Sequence, residues 1–204
     1  MSWIVDTRAY LSPRPGLIGP GRLVLVVGPS GAGKDTLIGG AREACASDAS
    51  VVFPRRVVTR SPSAAEDHDT MGMDEFAHAA ANESFALWWE AHGNRYGIPS
   101  AIDDYIRADQ TVVCNVSRTI LGTARRRYAW VTVVLVTAPR DVLELRLSGR
   151  HRPSDGNLGH RISRSAAIGS HIDADVTINN VGKAGAGIRR MLNAIRDPGI
   201  FVVY

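Results

Sequence analysis

Residues 23–34 read LVLVVGPSGAGK and join two different sequence patterns. The first five, 23–27, form a short apolar run rich in β-branched side chains. Gly28 and Pro29 end this run, which predicts a buried β-strand. The last seven residues complete the spacing G-x-x-x-x-G-K, and a helix is expected to follow over about 33–46. A strand, a glycine-rich turn and a helix in this order predict a phosphate-binding loop.

This loop has the residue types that wrapping a phosphate requires. Glycines permit positive φ and a close approach of the backbone, so successive N–H groups can point at one phosphate. The start of the following helix adds a partial positive charge, and the lysine of the motif reaches the β- and γ-phosphates. We therefore predict that ATP contacts residues Gly28, Pro29, Ser30, Gly31, Ala32, Gly33, Lys34, Asp35 and Thr36.

The position after Lys34 departs from the usual motif. Ser or Thr normally stands there and its hydroxyl ligates Mg²⁺, whereas this chain has Asp35 followed by Thr36. One step along a helix rotates a side chain by about 100°, so Thr36 does not replace the missing hydroxyl. Because a carboxylate is a hard oxygen ligand, we predict that Asp35 binds Mg²⁺, directly or through water. The alternative is that Asp35 only complements the helix dipole.

The rest of the chain repeats the alternation of strand and helix. Apolar runs at 111–116, 131–136 and 176–178 resemble the first run, and helices are expected over 118–128, 139–147, 157–168 and 185–195. Strands that alternate with helices predict a parallel sheet covered on both faces, here an α/β, three-layer P-loop NTPase fold. We expect an N-terminal extension at 1–21, a core at 22–52, 101–147 and 167–204, an insertion at 53–100, and an arginine-rich segment at 148–166.

The composition excludes several classes of protein. Apolar residues make up 45% of the 204 residues and charged residues 22%, which is ordinary for a globular domain. No apolar run approaches the roughly 18 residues that cross a bilayer, and we expect no signal peptide. The two cysteines form no disulfide framework or metal spacing. We therefore expect a cytoplasmic protein with no membrane partner.

The charge is carried almost entirely by arginine. Lys34 and Lys183 are the only lysines among 24 cations, which leaves 22 arginines, and the net charge is +4. That modest charge, with no basic stripe interleaved with aromatic residues, argues against nucleic acid as a partner. Guanidinium groups match phosphate geometry, so small phosphorylated molecules are the expected ligands. A coding bias toward arginine is the alternative explanation for the bulk of these residues.

Candidates for the site of a second, phosphate-accepting ligand follow from the same strand pattern. Arg118 follows the run at 111–116, and open α/β sheets bind ligands at the carboxyl ends of their strands. Arg60 lies at another expected strand exit, and His68 and Tyr96 are the further candidates. In contrast, we interpret Asp103 and Asp104 as a solvated helix face and the arginines at 125–127 as a solvated run at a helix end.

From about 22 to 196 the chain resembles the guanylate-kinase-like kinases. The likeness is carried by GPSGAGK at 28–34, VTR at 58–60, FALW at 85–88, GNRYG at 93–97, RLSGR at 146–150 and INN at 178–180. It implies that Arg60 holds the phosphate of the acceptor and that Asn179 lies near the adenine of ATP. It also implies that the core is a kinase core, that 53–100 is an acceptor-binding module and that 148–166 is a lid. Arg150 and Arg161 are then catalytic arginines of this lid.

Several positions differ from guanylate kinases. Their guanine-reading glutamate aligns with Leu87, their strand-end aspartate with Asn115, and their phosphate-contacting tyrosine with His68, while a second acceptor arginine is replaced by Ser63. Together with Asp35 and NVSR at 115–118, these differences resemble the ribose 1,5-bisphosphate phosphokinases of phosphonate use.

That resemblance implies the reaction. The γ-phosphoryl group of ATP passes, with Mg²⁺, to the 1-phosphate of ribose 1,5-bisphosphate and gives 5-phosphoribosyl 1-diphosphate. Two alternatives stay open. One is a nucleoside monophosphate kinase, since the missing carboxylates argue only against guanine. The other is a non-catalytic guanylate-kinase-like binding module, against which Lys34 and the arginine-rich lid argue.

Overall fold

The fold is taken from a computed structural model, which describes residues 16–60, 68–148 and 172–196. In that part of the chain the strands are β1 (Arg22–Val27), β2 (Val51–Val52), β3 (Arg56–Val58), β4 (His68–Thr70), β5 (Phe85–Ala91), β6 (Asn94–Pro99), β7 (Thr111–Asn115), β8 (Val131–Thr137) and β9 (Val176–Asn179). The helices are α1 (Lys34–Ala44), α2 (Met73–Ala81), α3 (Ile102–Arg107), α4 (Leu121–Arg127), α5 (Arg140–Ser148) and α6 (Ala184–Arg196). None of these helices has the length and apolar character that crossing a membrane requires.

The main sheet has the strand order β2-β7-β1-β8-β9. All four of its strand pairs are parallel, and β1 lies in the centre between β7 and β8. The first prediction, a buried parallel strand leading into the glycine-rich loop, is therefore confirmed. Parallel strands need crossover connections, and helices supply these links on both sides of the sheet.

The two faces of the sheet carry separate hydrophobic cores. Leu23 and Leu25 of β1 pack on one side with α3, α4 and part of a second sheet. Val24 and Val26, which alternate with them, pack on the other side with α1, α5 and α6. These four side chains are fully buried, and burying a side chain of this size contributes about 1.5–3 kcal/mol. The predicted three-layer α/β fold is thus confirmed.

A second, smaller sheet has the strand order β4-β3-β6-β5. Strands β5 and β6 form an antiparallel hairpin closed by His92 and Gly93, whose φ angles are 52° and 72°. Positive φ at both turn positions defines a type I′ turn, which suits the twist of a hairpin. This sheet falls inside the range 53–100, whose boundaries and role as an acceptor-binding module stay a prediction.

One predicted helix begins differently. Instead of a continuous helix over 118–128, the chain forms a 3₁₀ turn at Arg118–Ile120 and then enters α4. The Ser117 hydroxyl caps this turn by accepting a hydrogen bond from the Thr119 N–H at 3.3 Å. The helix expected over 157–168, the lid at 148–166 beyond Ser148 and most of the extension at 1–21 lie outside the described residues.

The interpretation of Asp103 as solvated is wrong. Its side chain is buried, and its carboxylate accepts hydrogen bonds from the Tyr128 hydroxyl at 2.6 Å and from the Arg127 guanidinium at 2.5 Å. Burial, aided by this carboxylate, raises the pKa of Tyr128. Arg127 is therefore not part of a solvated run either, whereas Asp104 is exposed and pairs with Arg107. The buried contacts join α3 to the end of α4.

Candidate active site

The glycine-rich loop has the backbone that its sequence predicts. Gly28, Gly31 and Gly33 have φ angles of 145°, 83° and 88°, a region that favours glycine. A Cβ atom at Gly28 would collide with the Val136 carbonyl of β8, and one at Gly33 would collide with the Asn180 side chain. The loop is therefore seated directly against the neighbouring strands, and α1 begins immediately after it at Lys34.

The Lys34 side chain turns back over the loop. Its Nζ donates hydrogen bonds to the carbonyl oxygens of Gly28 at 2.8 Å and Pro29 at 2.9 Å. The ammonium charge is thus held at the mouth of the loop, where the helix start also directs its unpaired N–H groups. This arrangement is suited to binding the phosphates of a nucleotide.

A side chain that the sequence interpretation missed holds the loop in place. Asn180 is buried, and its Nδ2 donates to the Ala32 carbonyl at 2.8 Å. Arg146 braces the same region, with hydrogen bonds to the carbonyls of Asn180 at 3.0 Å and Gly31 at 3.4 Å. The residue singled out from the sequence, Asn179, lies exposed at the end of β9. The position of Asn180 in the pattern I-x-N was the available signal.

Asp35 and Thr36 lie exposed on the first turn of α1. The Asp35 carboxylate accepts a hydrogen bond from the Asn115 side-chain amide at 2.8 Å, across 80 positions of sequence. Asn115 is the last residue of β7, and its register partner on β1 is Val26, just before the loop. The sequence alone did not connect these two side chains.

The residues present fit a magnesium ion. Within the described residues, no group of three or more His, Cys, Asp or Glu side chains forms a metal cluster. Magnesium is commonly bound through one or two carboxylates together with substrate phosphates. An exposed carboxylate at Asp35, beside the phosphate loop, is that kind of ligand.

Three acceptor candidates lie in or beside the second sheet. Arg60 follows β3, and the preceding residue Thr59 anchors that strand exit by bonding to Arg95 at 2.8 Å and 3.1 Å. His68 begins β4 and is 7% exposed, and Tyr96 on β6 is 8% exposed. Both ring nitrogens of His68 are buried, and the roles of His68 and Tyr96 in binding stay predictions.

Tyr96 is part of an aromatic stack. Its ring lies 5.3 Å from the Trp89 ring at an angle of 6°, and the Arg56 guanidinium lies 5.7 Å from the Tyr96 ring centre. Trp89 is buried, whereas the adjacent Trp88 is 47% exposed and packs edge-on against Phe76. The pair of tryptophans is thus divided between the core and the surface.

Arg118 begins the 3₁₀ turn that follows β7 and is exposed. Strand β5 of the second sheet packs against this turn. Arg118 therefore stands where the two sheets meet, at the carboxyl edge of the main sheet. The predicted lid arginines Arg150 and Arg161 lie outside the described residues.

A parallel sheet with a phosphate loop after its central strand, joined to a small second sheet, defines a P-loop protein of the guanylate kinase type. A solved guanylate kinase from Anaplasma phagocytophilum has the same fold, with a TM-score of 0.62 and 20% identity over 89% of this chain and 87% of that chain. A comparison with protein-family models finds no match.

Curated relatives are much more similar in sequence. The ribose 1,5-bisphosphate phosphokinase PhnN of Rhodopseudomonas palustris is 56% identical over 180 residues, covering 88% of this chain and 91% of the relative. The protein of the same name from Bradyrhizobium diazoefficiens is 55% identical over 182 residues, covering 89% and 91%. The chain belongs to the ribose 1,5-bisphosphate phosphokinase PhnN family. The resemblance inferred from the sequence motifs is confirmed.

Proposed function

We propose that this chain is a kinase that transfers the γ-phosphoryl group of ATP to the 1-phosphate of ribose 1,5-bisphosphate. The products are 5-phosphoribosyl 1-diphosphate and ADP. The observation that carries the proposal is a complete phosphate loop, with the Lys34 ammonium held at its mouth, in a chain 56% identical to a relative of that name. We place the reaction in the cytoplasm and in phosphonate use, with only small-molecule partners.

The chemistry needs no general base. An oxygen of the acceptor's 1-phosphate attacks the γ-phosphorus of ATP, and the bond from that phosphorus to the β,γ-bridging oxygen breaks. The second pKa of a phosphate monoester is about 6, so the attacking oxygen is already anionic at neutral pH. Catalysis then consists of positioning the two phosphates and neutralising their charge.

Each predicted site residue has a place in this scheme. Lys34 and the loop N–H groups bind the β- and γ-phosphates, Asn179 lies near the adenine, and Asp35 holds Mg²⁺. When bound, the ion neutralises phosphate charge. Lid arginines Arg150 and Arg161 act on the transferring group. The acceptor's phosphates bind to the side chains of Arg60, His68, Tyr96 and Arg118.

The proposal is tested by identifying the product. Purified protein, ATP and Mg²⁺ are incubated with ribose 1,5-bisphosphate, and the reaction is followed by ³¹P NMR. We expect new signals of a diphosphate attached at C1, in step with ADP. Ribose 5-phosphate, which lacks the 1-phosphate, serves as the matched control acceptor. A chain that leaves the bisphosphate unchanged, or phosphorylates the control equally well, does not have the proposed activity.

Arg118→Ala is expected to raise the acceptor KM about tenfold or more, because a hydrogen bond to a charged group contributes about 1.5–3 kcal/mol. The KM for ATP should stay nearly unchanged. Arg107→Ala is the matched control, since Arg107 is exposed at the opposite end of the sheet and pairs at the surface with Asp104. Steady-state kinetics with each substrate varied in turn separate the two constants. Equal changes in both KM values would remove Arg118 from the acceptor site.

A further inference from the structure

The contact between Asp35 and Asn115 reverses a familiar distribution of charge. P-loop NTPases commonly hold Mg²⁺ with a neutral Ser or Thr after the loop lysine and with an acidic residue on a neighbouring strand. Here the residue after Lys34 is the acidic one, and the neighbouring strand β7 ends in the neutral Asn115. The register of β7 against β1 brings the two positions together. The site therefore still has one carboxylate and one neutral side chain, but the carboxylate is on α1 and the neutral side chain is on β7.

The hydrogen bond from Asn115 orients the carboxylate of Asp35. Asn115 Nδ2 lies 2.8 Å from Asp35 Oδ1, and this contact fixes one carboxylate oxygen. The other oxygen of this carboxylate is the proposed Mg²⁺ ligand, and the Asp35 side chain is exposed at the start of α1. An amide has no charge, so it orients the carboxylate without competing for the cation. Partners of this kind commonly determine how well a metal ligand binds.

We propose that Asn115 is a positioning residue for the magnesium ligand Asp35, and that the two form one unit in which carboxylate and neutral side chain have exchanged places. The inference rests on the proposed function, because it assumes that the loop binds ATP with Mg²⁺. It also assigns a role to Asn115, which the sequence comparison described only as the replacement of an aspartate of guanylate kinases. We expect that removing the carboxylate from position 35 on α1 weakens Mg²⁺ binding, and that placing a carboxylate at position 115 on β7 restores it.

The test measures binding rather than turnover. Isothermal titration calorimetry gives the Kd of a non-hydrolysable ATP analogue with Mg²⁺ and with EDTA, and the ratio of the two Kd values is the magnesium gain. The proteins are wild type, Asp35→Thr, Asn115→Ala and the exchange variant Asp35→Thr/Asn115→Asp. Asp104→Thr, which removes an exposed carboxylate on α3, is the control and should keep the wild-type gain.

Both single variants should lower the magnesium gain about tenfold or more, with little change in the Kd in EDTA. Asn115→Ala removes the partner of the ligand, and Asp35→Thr leaves a neutral hydroxyl beside the neutral Asn115, with no carboxylate at either position. The exchange variant should return to within about threefold of wild type, a non-additivity that independent sites do not show. An exchange variant no better than Asp35→Thr, or an Asn115→Ala protein with the wild-type gain, overturns the proposal.

Two further outcomes are also decisive. If the exchange variant does not melt cooperatively, Asn115→Ala decides alone: a lowered gain supports the proposal and an unchanged gain overturns it. Since no acceptor is present, the result is independent of acceptor identity. A wild-type protein that binds no nucleotide refutes the kinase function itself, whereas a wild type with a gain that the exchange fails to restore refutes only the pairing.

Discussion

Replacement of Lys34 by alanine is expected to lower kcat about 100- to 1,000-fold, the range seen when one preorganised donor to a transition state is removed. Lys34 holds its ammonium at the loop through the carbonyls of Gly28 and Pro29. At this position the positive charge of Lys34 can stabilise the negative charge on the phosphoryl group during its transfer. The variant should still fold, because Lys34 is only half-buried and lies at the start of α1.

The chain offers a matched control for this prediction. Lys183 is the other lysine, and it is exposed just before α6, so Lys183→Ala should keep the wild-type kcat. ADP release in a coupled assay gives kcat, and a thermal melt shows whether each variant is folded. If folded Lys34→Ala kept more than a tenth of the wild-type kcat, the loss would be under about 1.4 kcal/mol. Lys34 would then not bind the transferring phosphoryl group.

The elements that sequence predicted well are those specified by local pattern. The runs at 111–116, 131–136 and 176–178 correspond to β7, β8 and β9 within about one residue. Central parallel strands are buried on both faces, so they appear as continuous apolar runs. The phosphate loop was predictable for a similar reason, since its residues are contiguous and its backbone demands glycine at fixed spacings.

The elements that the sequence analysis missed depend on partners outside their own stretch of the chain. Strand β4 has three residues and only His68 is buried, so no periodicity marks it, and it forms by pairing with β3. Asp103 looked like a surface residue, because an acidic side chain on a short helix usually is one. Its burial depends on Tyr128, 25 positions later.

The candidate site shows the same division. The nucleotide-binding residues could be predicted from one continuous stretch of sequence, whereas the pairing of Asp35 with Asn115 spans 80 positions. That contact requires knowing that β7 is the neighbour of β1. The acceptor residues are spread over both sheets, and their assembly around a ligand depends on chain topology rather than on any local pattern. Their roles stay predictions for that physical reason.

The structure strengthens the argument that this chain discriminates against GMP. Guanylate kinases use carboxylates at the positions of Leu87 and Asn115, as the sequence resemblance implies. Leu87 is 2% exposed and belongs to the core between the two sheets, so it offers guanine no acceptor. The Asn115 amide already donates to Asp35. Leu87 therefore cannot pair with the N–H donors of a guanine base, and Asn115 offers a neutral amide oxygen where guanylate kinases have a carboxylate.

We accordingly expect GMP to be a much poorer acceptor than ribose 1,5-bisphosphate. Each N–H donor left desolvated and unpaired costs about 1–3 kcal/mol. Two such losses lower affinity by about two to four powers of ten relative to a matched site. A sugar bisphosphate has no base, so it incurs neither loss and can place its second phosphate against arginines at the carboxyl edge of the sheet.

The measurement compares kcat/KM for the two acceptors at one saturating ATP concentration. AMP, CMP and UMP are included, because the missing carboxylates argue against guanine and not against every base. An authentic guanylate kinase in the same coupled assay shows that GMP turnover is detectable. The expected result is a kcat/KM for GMP at least about 100-fold below that for ribose 1,5-bisphosphate. Equal or better efficiency with GMP would instead identify the chain as a nucleoside monophosphate kinase, with the base bound through groups other than Leu87 and Asn115.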